Sequence, residues 1–529
     1  YYNYLISMKI RLSIKSLTIF TLVILLIFFI GYITIIKNYA FRQQISKFIP
    51  SKVINYSKKT IFIISEFKEE IASLNKTIRN KNKKIESKNE VINYFVEEYI
   101  FDPTSSVSLI KEENLNKYIS LDSQDPEIWE MFSKYFGKHK VNIYFNKMNE
   151  NEVIKTDIGK FNLKKFKLSL IPDYKSWGSK SVGYIDNVEG QQIFVTGDGI
   201  FFTFNTSDIN HQKIKAETIP TNLRTIIKSD EFYSLEEGVN AYNIRDLKII
   251  NNKIYISYIK EISTDCFNTS ILVANLNFDL LNFEDFFSDY ECINKSSSSF
   301  NIHQSGGRIF PFKNGKLLLT IGEYSHRTYA QNKDNLFGKI ISIDIETKEH
   351  EIISMGHRNP QGLYYSKKHD FIIFTEHGPS GGDEININSQ PGTAKIENYG
   401  WPIASYGYHY NETFENLKEA PLHKSHSKYG FLEPIKNYTP GIGISEIIEI
   451  PKTFDPNFKN DYFVAAMGTY LFEGDLTIHH IRLNDDFDKI IYSSVIPIGE
   501  RIRDLSFLEN ENKIIMILEN TPSIGIIEK

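Results

Sequence analysis

Five short segments carry residue types that can do chemistry together: His303 to Arg308 (HQSGGR), Gly356 to Leu363 (GHRNPQGL), Glu376 to Asn386 (EHGPSGGDEIN), Asn398 to Pro402 (NYGWP) and Glu500 to Leu505 (ERIRDL). The guanidiniums of Arg358, Arg501 and Arg503 never lose their charge and fork onto carboxylates through paired N–H bonds, so they suit a ligand bearing several carboxylates. Asn359 precedes a proline and is held extended, which offers its amide to a ligand carbonyl. His303 carries imidazole, the group suited near neutral pH to take a hydroxyl proton while the carbon beneath it loses a hydride. The glycines and prolines of HGPSGGD let backbone carbonyls turn inward, as a hard, oxygen-liganded cation such as Ca²⁺ requires. Each feature also has a purely structural reading. A single histidine can be satisfied by packing, Arg503 can pair with Asp504 as the echo Arg245-Asp246 suggests, Trp401 can fill the core, and Asp383 and Glu384 can hold their loop.

Segments so far apart in the chain need a scaffold that gathers them. A polar turn followed by a short aliphatic and aromatic run recurs at Gln191 to Gly197, Lys253 to Ile259, Lys316 to Gly322, Asp370 to Glu376, Asp461 to Gly468 and Lys513 to Glu519. Two lead-ins are shared: Ile244-Arg245-Asp246-Leu247 before the second run and Ile502-Arg503-Asp504-Leu505 before the sixth. Regular strand repeats of this kind predict an all-β fold, a six-bladed β-propeller over 180–529, in which each small sheet buries its faces against its neighbours. An irregular β-sandwich is the competing arrangement. The wide spacing of the repeats implies long loops inserted between strands, where function concentrates.

Upstream, Leu17 to Ile36 holds no charged residue. At about 1.5 Å per residue it matches the roughly 30 Å hydrocarbon core of a bilayer. It predicts a transmembrane signal anchor preceded by a basic cytoplasmic flank, 1–16; a cleaved signal peptide would end in small residues that Ile35, Ile36, Lys37 and Asn38 do not supply. Over 57–101, Ile64, Ile71, Ile78, Ile85, Ile92 and Tyr99 recur every seventh position, with Phe67, Leu74 and Phe95 on the companion row. That heptad seam predicts a coiled-coil stalk and a homo-oligomer, weakened where Lys81 and Lys88 interrupt it; a lone amphipathic helix lying on its own domain has the same pattern. Residues 104–179 read as a connecting segment. With 61 Lys+Arg against 65 Asp+Glu there is no basic field for nucleic acid. Cys266 and Cys292 are too few for a disulfide scaffold or a zinc site; they form either one bridge or two buried thiols.

The segments GHRNPQGL, EHGPSGGDEIN and NYGWP, in that order, resemble the glucose/sorbosone dehydrogenase family of quinoproteins. The preceding HQSGGR, Asn314-Gly315, Gly322-Glu323, Ala330-Gln331 and Gly338-Lys339-Ile340 are similar to that family's histidine-bearing blade, and ERIRDL to its final arginine pair. The resemblance runs from about Gly183 to Lys529. It implies oxidation of a sugar or other polyol by hydride transfer to pyrroloquinoline quinone (PQQ), held by Arg358, Asn359, Arg501 and Arg503. It also implies His303 as the catalytic base and the carbonyls of Gly378 and Pro379 on a calcium ion that polarises the quinone. The uncharged span at Leu17 to Ile36 and the extracytoplasmic chemistry of the family that it resembles together imply a single-pass membrane protein whose propeller is periplasmic or extracellular. Two positions depart from the pattern: Glu323 stands where the family has aspartate, and Met467-Gly468 where it has a lysine. Those departures favour the alternative of a non-catalytic stalked propeller that binds carbohydrate or protein. No segment offers the nucleophile motif of a propeller hydrolase.

Overall fold

The computed structural model describes residues 133–134, 136–148, 151–167, 183–234, 241–410, 418–468 and 474–529. The expected span at 17–36, the stalk at 57–101 and most of the segment at 104–179 lie outside the described residues. Among the described residues no helix is long and apolar enough to cross a membrane.

All six apolar runs become the second strand of a small antiparallel sheet: Gln191–Thr196, Lys253–Ser263, Lys316–Ile321, Phe371–Glu376, Asp461–Ala466 and Lys513–Leu518. Each pairs with a first strand just before it, at Gly183–Val188, Ile244–Ile250, Gly306–Phe312, Pro360–Ser366, Ile444–Ile450 and Ile502–Leu508. The first strands touch one another in a closed cycle, the last meeting the first. The fold is therefore all-β, with its sheets arranged as the blades of a propeller. A second strand in this arrangement is buried on both faces, which is why it reads as a continuous apolar run and not as an alternation. In Lys253–Ser263, Ile254, Ile256 and Tyr258 pack toward the first sheet while Tyr255 and Ile259 pack toward the third. Every pair of neighbouring sheets encloses one such apolar layer.

Ring closure corrects the boundary expected at 180. The strand Gly159–Lys167, inside the supposed connecting segment, pairs with Ser523–Glu528 and supplies the fourth strand of the sixth sheet. Asn142–Lys147 then hydrogen-bonds both to it and to Lys213–Ile219 of the first sheet, joining two blades at their outer edges. Without these strands the C-terminal strand would present an unpaired edge. Their lysine-rich outer face hid them from the apolar pattern. Of the two alternatives for the cysteines, the bridge is the one formed: Cys266 and Cys292 are bonded, with Cα atoms 5.4 Å apart, where the third strand of the second sheet meets Ile293–Asn294.

At the axis the first strands bring together polar side chains with no access to water. Arg308 Nη1 lies 3.1 Å from Asp246, 2.8 Å from Glu446 and 2.9 Å from Asp504. Its Nε donates to the Gln361 carbonyl at 2.6 Å and its Nη2 to the Arg503 carbonyl at 2.9 Å. The three carboxylates in turn accept from backbone N–H groups of Ile309, Leu363 and Ile185. The arginine-aspartate pairs expected within IRDL do not form. Successive residues on a strand point opposite ways, so Asp246 and Asp504 reach Arg308, while Arg245 donates to the carbonyls of Ala241 and Ile302.

Burial drives Asp246 up to about 6 and also pushes Glu446 upward, with Arg308 opposing both. Replacing Arg308 with Met should cost about 3–5 kcal/mol, because it removes the one cation in direct contact with three buried carboxylates among the described residues. Acids whose folded pKa is raised favour the protonated form, so this cost should shrink as the pH falls from about 8 to about 5. Urea unfolding of both proteins at the two pH values measures it; a deficit under 1 kcal/mol at the higher pH contradicts the role given to Arg308.

Candidate active site

Antiparallel pairing places the start of each first strand beside the end of its second strand, so the residues at those two positions share one mouth of the ring. Arg358 and Asn359 immediately precede Pro360, Arg501 precedes Ile502, Arg503 and Arg245 are second in their strands, and His303 leads into Gly306. Glu323, Glu376, Gly468 and Glu519 stand at or just beyond the ends of second strands. The structure thus gathers the five side chains expected from the sequence, His303, Arg358, Asn359, Arg501 and Arg503, at one end of the propeller.

Their charges are unevenly matched. Arg501 Nε and Arg503 Nε share one carboxylate, donating to Glu519 at 2.9 Å and 2.6 Å. The two guanidiniums hold that carboxyl below its ordinary range against the opposing effect of burial. Arg501 also donates to the Met467 carbonyl. The fifth sheet has no room for the lysine of the family pattern: a side chain at Gly468 would collide with the carboxylate of Asp475. Arg358 Nη1 donates to the carbonyls of His377 at 3.1 Å and Gly378 at 2.6 Å, and its guanidinium lies 5.5 Å from the centre of the Trp401 ring. Trp401 is buried, as its packing reading expects. Arg245 Nη2 donates to the carbonyls of Ala241 at 2.7 Å and Ile302 at 2.9 Å, and its buried Nε has no hydrogen-bond partner. It lies directly beneath Gly307, whose φ of +117° and lack of a side chain are both required there. Glu519 is the carboxylate that the guanidiniums of Arg501 and Arg503 contact directly, while Glu376 accepts from Arg358 N and Glu323, driven toward its neutral form by burial, stands at the same mouth.

Asn359 is fixed through its oxygen, which accepts from Gly306 N at 3.1 Å and Gln361 Nε2 at 3.0 Å. The amide nitrogen is left to face a ligand. His303 is exposed at the rim, yet desolvation by the surrounding wall, followed by the charges of Arg245 and Arg503, holds it down to about 4. It is therefore a neutral imidazole at physiological pH, able to accept a proton. His377 stands between Asp383 and the arginines; burial lowers its pKa and its Nε2 has no hydrogen-bond partner. Glu323 is fully buried, and burial raises it to about 8 against the pull of Arg358 and Arg327. With its amide turned so that the oxygen accepts from Arg358 Nη2 at 2.8 Å, Gln304 bridges that guanidinium to Glu323.

The loop after Glu376 is held as the structural reading of its acids expects. Asp383 accepts from the backbone N–H groups of Gly378, Ile442 and Ile444 at 3.0, 3.0 and 3.1 Å, and Glu384 lies 3.3 Å from His426. The two carbonyls expected on calcium already accept hydrogen bonds, Gly378 from Arg358 at 2.6 Å and Pro379 from the Tyr410 hydroxyl at 3.1 Å. Each carbonyl oxygen keeps a second lone pair, but a cation drawing on Gly378 would sit beside the Arg358 guanidinium, which like-charge repulsion opposes. As arranged, these residues do not fit Ca²⁺. The arginine excess and the Asn359 amide do fit a carboxylated quinone.

A family model described as glucose/sorbosone dehydrogenase matches residues 193–524. The chain belongs to the glucose/sorbosone dehydrogenase family. Among curated relatives it is 32% identical over 268 residues to the aldose sugar dehydrogenase YliI of Escherichia coli, covering 48% of this chain and 67% of that one. It is 29% identical over 223 residues to the uncharacterised protein slr1608 of Synechocystis, where the match spans 38% of this chain and half of the relative. Sugar dehydrogenases recur among the solved structures that it resembles. A crystal structure of glucose dehydrogenase aligns with a TM-score of 0.52 at 20% identity, covering 66% of this chain and 97% of that one. The soluble aldose sugar dehydrogenase of Escherichia coli, in its apo form, aligns with a TM-score of 0.51 at 19% identity, covering 73% and 99%. At such identities the likeness concerns the fold.

Three contributors to this family's mouth in the present chain escaped the sequence: Glu519, Arg245 as a site cation, and the pair His357–Glu376. Glu376 and Glu519 end the fourth and sixth repeats at the same position, the one signal that pointed to the mouth. His357 Nδ1 lies 3.0 Å from Glu376, whose other oxygen accepts from Arg358 N, so the pair sets the backbone of the key arginine. The titration of His303 checks the electrostatics. With a folded pKa below its ordinary value of 6.5, its contribution to stability is present above that pH and is lost as the pH falls toward about 4. Its ring proton resonance, assigned by loss in His303→Gln, should titrate near 4. Replacing Arg503 with Gln should raise that midpoint, and an unmoved midpoint contradicts the assignment of charge.

Proposed function

We propose that this protein is a PQQ-dependent oxidoreductase that removes a hydride from a CH–OH group of a sugar or other polyol. The observation that carries the reading is the gathering of Arg245, Arg358, Arg501 and Arg503 at one mouth, where the charges of Arg245 and Arg503 act on the imidazole of His303. When bound, PQQ supplies the hydride acceptor. Arg358, Arg501 and Arg503 would bind its carboxylates through forked, charge-assisted hydrogen bonds. Asn359 donates its free amide N–H and orients the ring. His303 Nε2 or Nδ1 takes the hydroxyl proton of the substrate as the C–H bond breaks. A pKa near 4 makes it a weak base in the unliganded protein. Desolvation, the larger cause of that depression, would remain on binding, whereas a bound anion would offset the smaller contribution of Arg245 and Arg503. Calcium has no part in this scheme.

The apolar span at 17–36 would anchor the chain, the heptads at 57–101 would associate it into a homo-oligomer, and the propeller would lie in the periplasm or outside the cell. The Cys266–Cys292 bridge supports that placement, because disulfides persist in oxidising compartments.

Titration of the purified chain with PQQ, with and without Ca²⁺, tests the reading through the shift in quinone absorbance. Saturable binding is expected without added calcium. Arg501→Ala should weaken it by about 2–5 kcal/mol, since Arg501 would face a buried carboxylate. His303→Ala should spare binding and lower kcat on glucose by about 10²–10⁴. Absence of saturable binding under both conditions would overturn the enzyme reading in favour of a stalked propeller that binds carbohydrate or protein.

A further inference from the structure

Between Asp383–Asn388 and Lys436–Tyr438, paired strands of the fourth sheet, the chain makes a long excursion that lines a cavity beside Arg358. Its first residues brace that arginine. Tyr399 lays its ring over His357, 5.1 Å between centres, and Trp401 N donates to the Gly356 carbonyl at 3.0 Å while its ring faces the Arg358 guanidinium. Further along, Gly407 lies so close to the Gly381 carbonyl and to Gly382 that neither Gly407 nor Gly382 could carry a side chain. That contact supports the loop whose Gly378 carbonyl receives Arg358 Nη1.

One buried side chain joins these parts. His426, 1% exposed, places its Nδ1 2.8 Å from the Tyr399 carbonyl and its Nε2 3.3 Å from Glu384 on the strand Asp383–Asn388. Its ring stacks on Tyr406, 5.5 Å between centres, just before Gly407. A carbonyl oxygen only accepts, so Nδ1 carries a proton. Nε2 then faces a carboxyl group that is itself buried. Without a further proton, a ring lone pair would oppose a buried negative charge, so the pair holds one more, on the ring or on the carboxyl. Burial by itself would lower His426, but Glu384, the Tyr399 carbonyl and the charge of Glu433 outweigh it and hold the imidazole above its ordinary 6.5. Burial also raises Glu384, with Glu376 adding to it and His426 and Asn386 opposing. Tyr406 donates its hydroxyl to Glu433 at 2.8 Å, and Arg358 and His377 line the same cavity.

We infer that His426 and Glu384 form a proton-operated latch: the proton they hold fastens the excursion to its sheet, and its loss loosens the wall that positions Arg358. His426 is thus a positioning residue. The latch goes beyond the oxidoreductase reading, and only its effect on the quinone rests on that reading. Because the folded pKa of His426 is raised, the fastening is complete below 6.5 and is lost as the pH rises through the folded value.

Amide hydrogen exchange of the full chain, read by mass spectrometry and corrected for intrinsic rates, tests the latch at about pH 6 and about pH 9 in wild type and Glu384→Gln. In the variant a side-chain amide donates to neutral Nε2, so the contact needs no extra proton. Glu323, which burial holds near 8, is common to both proteins. Protection over 399–408 and 420–433, relative to the strand Lys513–Leu518, should fall about tenfold at the higher pH in wild type and stay level in Glu384→Gln. An equal fall in both, or none in wild type, overturns the latch. Should Glu384→Gln fail to fold, His426→Gln replaces it: equal protection at the two pH values upholds the latch, and a fall as large as in wild type removes it. Titration with PQQ under the same conditions should show an affinity about tenfold weaker at the higher pH in wild type and unchanged in Glu384→Gln. An affinity equally strong at both values in wild type removes the positioning of Arg358. Wild type that binds no PQQ at either value overturns the oxidoreductase reading instead, and the exchange result alone decides the latch.

Discussion

Six sheets can pack in a ring through apolar layers alone, but their first strands then converge on an axis where polar groups lose water. Arg308 resolves that convergence. It is 2% exposed and meets carboxylates of three different sheets, each of which also accepts a backbone N–H group. A buried ion cluster is weak evidence for net stability, since desolvation offsets most of the attraction, yet removal of the cation that its carboxylates contact directly is costly. Its effect is on specification. Asp246, Glu446 and Asp504 each tie a strand of a neighbouring sheet to the same guanidinium, so the sheets cannot slide past one another without stranding a charge.

The site stands directly on that cluster. Arg308 donates to the carbonyl of Arg503 and to that of Gln361, two residues beyond Asn359, so the axis holds the backbone from which two ligand-facing side chains depart. His357 and Glu376 do the same for Arg358 from behind. Lys339 serves the adjoining turn. Its ammonium, lowered to about 7 by burial, donates to the carbonyls of Phe337, Tyr329 and Ala330. Three donors meet three acceptors, which accounts for a buried lysine without assigning it chemistry. Rigid support of this kind lets a mouth built from turns present charge in a fixed pattern.

Electrostatics at the mouth follow from an imbalance. Glu519 serves two guanidiniums, Arg245 and Arg358 lean on carbonyls, and Glu323 is driven toward its neutral form by burial. His303 is depressed first by desolvation and then by the charges of Arg245 and Arg503. The two departures from the family pattern find physical counterparts in this arrangement. Glu323 reaches Gln304 and through it Arg358, and Gly468 yields its side-chain space to Asp475 while Arg501 reaches the adjoining carbonyl.

Much of this was legible in the chain because it is local. An apolar run of six or seven residues records burial on both faces wherever it falls, and all six runs became second strands. Pre-proline Asn359, the glycines of HQSGGR and the arginines at strand starts were also readable, since antiparallel pairing puts such positions at one end. Charge partners were not. Arg308 meets Asp246 and Asp504 from 62 and 196 residues away, while the aspartates' own neighbours Arg245 and Arg503 point elsewhere along the pleat. The strand Gly159–Lys167, which completes the sixth sheet, was likewise indistinct, because its partner lies at the opposite end of the chain. Sequence by itself determined the repeating sheet and the kinds of group at its mouth, through periodicity and backbone restriction. Only the closed ring decided which charges neutralise one another and which remain for a ligand, because Coulomb attraction depends on distance and burial that no spacing along the chain encodes.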